Sequence, residues 1–283
     1  MGFTSYLSMM RPLNSLMSGI GVVFTALMFA GYSAESIGAA RIIVGFATGF
    51  TVTAASMIVN DVVDVEVDRV NKPWKPLPSG KASPKTAVFL SILLLAAALS
   101  LNTLLGSIFT LTTLVYSLLG VGYSFLRRYW WSQLLVPASV TGPIAYGYIA
   151  AGAPRGDFYT AVGLASTIYI VTFGREVLKA IQDLEGDRTR GYTTIPMRFG
   201  VKESSKLMAA ASVAGPAAGV ATGILNGSGL IYTALISLAG ALYAYSMIKA
   251  TRSLSSKAVL EKARRETLLE MLLGLVAFWL FKA

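Results

Sequence analysis

Two acidic stretches of this 283-residue sequence repeat one spacing of four residues. The first contains Asn60, Asp64 and Asp68, and the second contains Asp183 and Asp187. Residues four apart lie on one face of an α-helix, so each stretch is expected to align its side-chain oxygens along a single face. Mg²⁺ takes one or two protein carboxylates and completes its shell with phosphate oxygens and water. The spacing therefore predicts a metal site that also holds a diphosphate.

Basic side chains accompany both acidic stretches. Lys72 and Lys75 follow the first stretch in a segment with three prolines, which predicts an irregular, lid-like loop rather than a helix. Lys179 and Arg188 flank the second stretch. These four cations are predicted to contact the diphosphate, because they would neutralise the charge that develops as it leaves.

Three other acidic residues, Asp61, Glu66 and Glu185, fall off the two predicted faces. We expect them to be solvated or to support the metal ligands from behind. A single Asp-x-x-x-Asp spacing is usually just a solvated loop. The metal prediction therefore depends on the two motifs occurring together, each at a helix end and each followed by basic residues.

The absence of cysteine and histidine limits the available chemistry. It excludes disulfides, zinc and iron–sulfur sites with thiolate ligands, haem with an imidazole ligand, and nucleophiles that need a histidine. A hard cation with oxygen ligands, such as Mg²⁺, is the metal that the remaining side chains suit best.

The composition is that of a membrane protein, with 54% hydrophobic and 13% charged residues, where soluble proteins have about 25% charged. At about 20 apolar residues per crossing, we predict an all-α bundle of nine transmembrane helices, with a central cavity capped by cytoplasmic loops. Small residues such as Gly45 and Gly49 are expected to let helices pack closely. The predicted helices span roughly 12–32, 36–60, 86–104, 107–124, 132–152, 157–182, 204–225, 228–248 and 265–281.

Positive charge is distributed unevenly between the predicted loops. If the N-terminus is cytoplasmic, Arg41, Arg155 and Lys282 fall outside, and nearly all other Lys and Arg fall inside. This is the positive-inside asymmetry. Topology and anionic headgroups thus explain the net charge of +10 better than nucleic-acid binding does. We expect a multi-pass integral membrane protein with its acidic loops on the cytoplasmic side.

At these motifs the sequence resembles the UbiA-type intramembrane prenyltransferases. Residues 60–68 meet the family pattern Asn-Asp-x-x-Asp-x-x-x-Asp, and residues 183–187 meet the second pattern, Asp-x-x-x-Asp. Arg11 and Asn14 lie in an Arg-Pro-x-Asn entry to the first helix. The resemblance covers almost the whole chain. It implies one membrane domain over residues 1–283, Mg²⁺ as the cofactor and a prenyl diphosphate as the donor.

Within the family, the runs from Asp183 to Arg188 and from Gly191 to Pro196 are most similar to the archaeal digeranylgeranylglyceryl phosphate synthases. This likeness implies transfer of geranylgeranyl from its diphosphate to the hydroxyl of geranylgeranylglyceryl phosphate in ether-lipid biosynthesis. Other acceptors within the family stay open, namely hydroxybenzoate, homogentisate, naphthoate and chlorophyllide.

The resemblance also implies roles for single residues. Tyr123 and Arg127 stand where the family commonly has Tyr-x-x-x-Lys. Arg11 and Arg127 are candidates for the acceptor phosphate, because a guanidinium suits bidentate phosphate contact. The predicted catalytic metal ligands are Asn60, Asp64, Asp68, Asp183 and Asp187, and the predicted substrate contacts are Lys72, Lys75, Lys179, Arg188, Arg11, Asn14, Arg127 and Tyr123.

Two other classes of protein share some of these features. A cation-coupled transporter also has intramembrane charges and repeat-like halves, but its site lies near the midplane, whereas these carboxylates lie at helix ends. The CDP-alcohol phosphotransferases also bind diphosphates with Asp clusters, but they require glycine after an early Asp, where this chain has Val65 after Asp64. Both alternatives fit the sequence less well than prenyl transfer.

Overall fold

The structure is a computed structural model, and it describes residues 2–188 and 191–282, apart from the side chains of Val67, Val70 and Asn71. Every regular element in these residues is a helix, and two short 3₁₀ helices lie at Trp130–Leu134 and Arg155–Asp157. In chain order the α-helices are α1 Phe3–Met9, α2 Pro12–Phe29, α3 Ala34–Ile37, α4 Ala39–Val63, α5 Val65–Asn71, α6 Pro84–Thr103, α7 Ser107–Leu126, α8 Leu135–Val140, α9 Gly142–Ala150, α10 Phe158–Gln182, α11 Leu184–Arg188, α12 Ile195–Phe199, α13 Val201–Leu225, α14 Leu230–Thr251 and α15 Lys257–Trp279.

Seven helices in the described part of the chain are long and apolar enough to cross a membrane. They are α2, α4, α6, α7, α10, α13 and α14, and they coincide with seven of the predicted spans. Their outer faces carry large apolar side chains, such as Phe89 and Leu118, which are 66% and 64% exposed. Soluble proteins rarely expose large contiguous apolar patches, so these faces are suited to lipid. The chain is an integral, multi-pass membrane protein.

The other two predicted spans differ from the expectation. The prediction of one continuous helix over 132–152 is wrong, because this region contains the end of a 3₁₀ helix, then α8 and α9. Pro137 and Pro143 lack the N–H that a continuous helix would need, so the segment breaks. The predicted helix 265–281 lies within and just beyond α15, which begins earlier, at Lys257, in a charged stretch.

The helices pack in a circuit that closes on itself. α2 packs on α4, α4 on α6 and α7, α7 on α8, and α8 on α10. The circuit continues through α13, α14 and α15, and α15 returns to α2. At this seam the Tyr32 hydroxyl donates to the Trp279 carbonyl at 2.8 Å. The first and last long helices are therefore neighbours in one bundle.

Glycine allows α2 and α4 to approach almost backbone to backbone. A Cβ atom on Gly49 would lie 2.8 Å from the Ser18 carbonyl oxygen, and one on Gly19 would lie 2.8 Å from the Phe46 carbonyl oxygen. Both distances are shorter than any normal contact of a side-chain carbon. The predicted packing role of Gly49 is thus confirmed.

A small apolar cluster attaches α1 and the proline-rich loop, residues 72–83 between α5 and α6, to the end of the bundle. Met9 of α1 and Leu77 of the loop are buried together with Ile58 of α4. The Tyr6 hydroxyl also accepts a hydrogen bond from the Ser83 backbone N–H at 3.0 Å. Both segments are therefore held beside the C-terminal end of α4, where the first acidic stretch begins.

Candidate active site at the acidic helix ends

The first acidic stretch crosses a helix break without losing its register. α4 ends at Val63, and α5 begins at Val65. The Asp64 N–H donates to the Asn60 carbonyl at 3.0 Å, and the Asp68 N–H donates to the Asp64 carbonyl at 2.8 Å. These i to i+4 bonds are those of a helix. The three side chains therefore keep the common face that their spacing predicts.

The second acidic stretch repeats this geometry at the end of α10. The Asp183 N–H donates to the Lys179 carbonyl at 2.9 Å, and the Asp187 N–H donates to the Asp183 carbonyl at 3.0 Å. Asp183 is half-buried and Asp187 is buried. Both stretches thus enter the site as short helical extensions of long helices.

Arg127, directly after α7, joins the two acidic stretches. Its Nη1 donates to Oδ2 of Asp64, and its Nη2 lies 3.6 Å from Oδ1 of Asp187. Both carboxylates are buried, with 6% and 4% exposure. Two stretches that are far apart in the sequence therefore share one guanidinium, which confirms that they converge.

Aromatic rings surround the Arg127 guanidinium. It lies 5.8 Å from the ring centre of Tyr123 and 5.1 Å from that of Tyr192. Burial lowers the pKa of Arg127, but Tyr123 and the carboxylates of Asp64 and Asp187 raise it by more, so the net direction is upward. Arg127 is therefore a permanent cation between the two stretches.

Lys75, like Arg127, is a cation shared by two carboxylates, and it lies on the other side of the first acidic stretch. Its Nζ lies 2.9 Å from Oδ1 of Asp61 and 2.6 Å from Oδ2 of Asp68. Arg11 Nη2 lies 3.3 Å from the same Asp61 oxygen. The expectation that Asp61 is solvated is therefore wrong, because Arg11 and the proline-rich loop cover it. The other expectation for Asp61, that it supports the predicted metal ligands, is the one that agrees with its burial.

The other predicted residues are more dispersed. Lys179 binds both oxygens of the buried Glu176, at 2.8 and 3.0 Å, within its own helix. Asn14 and Lys72 are half-buried, and Arg188 is exposed. Among the described residues, neither Lys72 nor Arg188 has an ion-pair partner. Glu66 and Glu185 are exposed, as predicted.

The chain matches the sequence profile of the UbiA prenyltransferase family over residues 21–277. It belongs to this family. Over 274 residues it is 28% identical to the digeranylgeranylglyceryl phosphate synthase of Methanothermobacter thermautotrophicus, which covers 96% of this chain and 94% of the relative. The predicted resemblance to the UbiA-type prenyltransferases is confirmed.

Solved structures show the same UbiA fold. One comes from work on the biosynthesis of digeranylgeranylglyceryl phosphate synthase in membranes, with a TM-score of 0.75 and 24% identity over 99% of this chain and 98% of the other. Another is a UbiA homologue from Archaeoglobus fulgidus bound to GPP and Mg²⁺, with a TM-score of 0.70 and 19% identity. That likeness covers 97% of this chain and 99% of the homologue.

The donor set of this UbiA-family site suits Mg²⁺. Across residues 2–188 and 191–282, no three His, Cys, Asp or Glu side chains are grouped closely enough to hold a metal ion. Mg²⁺ does not need such a group, because one or two carboxylates, water and phosphate complete its octahedron. Asp64 and Asp187 already face one cation, and so do Asp61 and Asp68. Carboxylate oxygens of the two acidic stretches therefore already lie around positively charged side chains, as they would around a metal cation.

The structure adds residues to the site that were not among the predicted metal ligands or substrate contacts, and for two of them the spacing carries a signal. Asp61 precedes Asp68 by seven residues, which is nearly two helical turns, and Lys75 binds both. Glu176 precedes Asp183 by the same interval. Gln133 accepts a hydrogen bond from the Ile195 N–H at 2.6 Å and so holds the segment after the second stretch. No local pattern indicates that contact.

Proposed function

We propose that this prenyltransferase transfers geranylgeranyl from geranylgeranyl diphosphate to the hydroxyl of geranylgeranylglyceryl phosphate. The observation that carries the proposal is the meeting of both acidic stretches at Arg127, at the ends of membrane-spanning helices. The synthase of Methanothermobacter thermautotrophicus, which bears the name of this reaction, supports the choice of substrates. The product would be a precursor of archaeal ether lipids.

Mg²⁺ and the donor diphosphate would bind between the two acidic stretches. The proposed ligands are Asn60, Asp64, Asp68, Asp183 and Asp187. The Archaeoglobus fulgidus homologue bound to GPP and Mg²⁺ supports this pairing of metal and donor. When bound, the metal would neutralise the diphosphate and so stabilise it as a leaving group.

The basic residues would bind the oxygens of the diphosphate. Lys75 and Arg127 are bound to carboxylates in the structure, and both would become available to the diphosphate if Mg²⁺ were bound to those oxygens. Lys72, Lys179 and Arg188 are further proposed contacts. The allylic C–O bond would then break with its electron pair going to the diphosphate, and the acceptor oxygen would bond to the resulting carbocation and give its proton to the released diphosphate. Tyr123, whose ring faces Arg127, would help to stabilise the cation.

The acceptor phosphate would lie near the start of α2. The Arg127 side chain is only 18% exposed and contacts two carboxylates, whereas that of Arg11 is 39% exposed and contacts one carboxylate of the described residues, that of Asp61. Arg11 is therefore the better of the two predicted phosphate contacts. Asn14 is half-buried nearly one turn further along the chain.

The proposed topology has nine crossings within a single domain over residues 1–283. The broken segment from Trp130 to Ala150 and the part of α15 from residue 265 onward would be the two crossings beyond the seven apolar helices. A cytoplasmic N-terminus would place the acidic loops, and the basic residues around them, on the cytoplasmic side as a cap over the cavity. The positive-inside rule supports this orientation.

The first experiment is a product assay with purified protein, geranylgeranyl diphosphate, Mg²⁺ and a panel of acceptors, followed by mass analysis of the lipids. We expect a prenyl ether with geranylgeranylglyceryl phosphate. Asp64→Asn should lower the rate about a hundredfold or more, because a charge-stabilising group at the reacting centre is lost. Glu66→Gln is the matched control, since the Glu66 side chain is 73% exposed and lies off the acidic face.

Three outcomes would contradict the proposal. A product formed only with an aromatic acceptor or chlorophyllide would reassign the acceptor. Full activity of Asp64→Asn would remove that residue from the mechanism. Absence of any prenylated product from wild-type protein would sink the proposed reaction itself.

A further inference from the structure

A cavity of about 490 Å³ lies beside the acidic site. Its polar lining combines three hydroxyl groups from α1 with cations from the start of α2 and from the proline-rich loop. Trp74, which is 70% exposed, also lines it. The polar residues are Thr4, Ser5, Ser8, Arg11, Lys75 and Lys81, with Asp61 as the one carboxylate.

Positive charge exceeds negative charge in this cavity. The Lys75 ammonium is shared between Asp61 and Asp68, so those contacts satisfy it. Arg11 contacts Asp61 at 3.3 Å, and Lys81 is exposed with no ion-pair partner in the described residues. A dianion would therefore be attracted here. A phosphomonoester carries about −1.5 to −2 charge at neutral pH and accepts hydrogen bonds from hydroxyls and cations.

The backbone fixes Arg11 at the edge of the cavity. Arg11 has a φ of 47°, in the left-handed region that a residue with a side chain rarely adopts. Such a conformation persists only where surrounding contacts impose it. Here the Arg11 N–H donates to the Ser8 carbonyl at 3.2 Å, and its side chain reaches Asp61. The guanidinium is thus preorganised.

α1 also has an apolar surface, away from the cavity. Phe3 and Leu7 are 78% and 42% exposed, whereas Met9 is buried against the bundle. A helix with one apolar exposed face and one polar face lies in the plane of a membrane interface. The exposed Trp74 is an interfacial side chain of the same kind. The cavity therefore opens where a lipid can present its headgroup while its chain stays in the bilayer.

We infer that this cavity binds the phosphomonoester headgroup of a lipid acceptor that enters sideways from the membrane. The inference rests on the proposed function and deepens it, because it assigns acceptor selection to Arg11, Lys81 and the α1 hydroxyls. Lys75 separates the two substrates. It contacts Asp61 on the cavity side and Asp68 on the donor side, so headgroup and diphosphate lie on either side of one ammonium.

The kinetic test compares Lys81→Gln with the matched control Lys85→Gln. Lys85 is exposed in the first turn of α6 and does not line the cavity. Lys81→Gln should raise the KM for geranylgeranylglyceryl phosphate about tenfold, the usual effect of one lost bond to a charged group. The KM for geranylgeranyl diphosphate should not change, and geranylgeranylglycerol, which lacks the phosphate, should be a poor substrate for both variants.

A binding measurement decides the inference even without turnover. Calorimetry on detergent-solubilised protein without donor should show that geranylgeranylglyceryl phosphate binds wild type and Lys85→Gln equally, and Lys81→Gln about tenfold more weakly. Inorganic phosphate should compete only at much higher concentration, and phosphatidylglycerol, a phosphodiester, should not compete. Matching elution and melting temperatures establish that the variants are folded.

The inference fails if Lys81→Gln and Lys85→Gln bind the phosphorylated lipid equally, or if phosphatidylglycerol competes as well as the monoester. A double variant, Arg11→Gln with Lys81→Gln, that still prefers the phosphorylated lipid also overturns it. A wild-type protein that binds the lipid in this cavity but forms no ether would sink the proposed reaction and leave the binding site standing.

Discussion

At the scale of single residues, the acidic groups of the site are neutralised by the protein's own cations. Arg127 binds Asp64 and Asp187, and Lys75 binds Asp61 and Asp68. Buried carboxylates left close together without a cation would repel one another. Mg²⁺ must therefore displace a side chain from these oxygens, and the displaced side chain then needs an anion. Metal and diphosphate are expected to bind cooperatively for this reason.

Replacing Arg127 should make the fold depend on magnesium. Arg127→Gln leaves two buried carboxylates without their shared cation, and loss of one partner of a buried ion pair costs about 3 to 5 kcal/mol. We expect a lower melting temperature in metal-free detergent solution. Added Mg²⁺ should raise the melting temperature of this variant more than that of wild type, as measured by thermal unfolding with and without Mg²⁺.

The neighbouring Arg128 supplies the control for this experiment. Its side chain is exposed and lies over the Tyr129 ring rather than on a carboxylate. Arg128→Gln should therefore respond to Mg²⁺ as wild type does. Equal magnesium responses of all three proteins would show that Arg127 is not the counter-ion of the two acidic stretches.

At the scale of elements, α15 is joined to α10 next to the second acidic stretch. The Gln182 side-chain N–H donates to Oε2 of Glu261 at 2.8 Å. This bond, together with Arg264 and Arg265, lowers the pKa of the Glu261 carboxyl below its usual range. A carboxyl whose pKa is lower in the folded state stabilises the fold above its unfolded pKa, near 4.3, and loses that contribution as the pH falls through its folded pKa.

Glu261→Gln should consequently destabilise the protein in a pH-dependent way. We expect the variant to melt below wild type at pH 7 and the difference to shrink below about pH 4, where the wild-type carboxyl takes up a proton. Melting temperatures at both pH values measure this. Glu203→Gln is the control, because Glu203 forms an exposed pair with Lys206. A difference that stays constant with pH would contradict the assignment.

Features that depend on residues close together in the sequence were predicted correctly. Features that depend on contacts between distant residues were not. The i to i+4 spacing of Asp64 and Asp68 survives the break between α4 and α5, because the backbone bonds keep helical register. The broken segment after α7 was predicted as one helix, because hydropathy does not register the N–H groups that Pro137 and Pro143 lack. The burial of Asp61 depends on Arg11, fifty residues away, so its seven-residue spacing from Asp68 could not reveal it.

At the scale of the whole molecule, the close packing of α2 and α4 limits which glycines can be replaced by alanine without loss of stability. Gly49→Ala would place a carbon 2.8 Å from the Ser18 carbonyl oxygen, so the helices must separate. Overpacking of this kind costs about 1 to 3 kcal/mol. On α7, no side chain that the structure describes lies within 4 Å of a Cβ built on Gly122, so Gly122→Ala should be neutral or stabilise by up to about 1 kcal/mol.

Thermal unfolding of both variants in the same detergent measures this difference. Gly49→Ala should melt below wild type, and Gly122→Ala at or above it. A Gly49→Ala protein as stable as wild type would mean that α2 and α4 are not packed this tightly.

The seam between α2 and α15 also bears on how the bundle is made in the cell. The Tyr32 hydroxyl meets the Trp279 carbonyl, and 247 positions of sequence separate the two. During synthesis α2 enters the bilayer long before its last neighbour exists, and lipid must cover its partner face until α15 arrives. Assembly of the ring is then a post-insertion event, so a nascent chain stalled before α15 would leave a lateral opening that lipid chains can occupy.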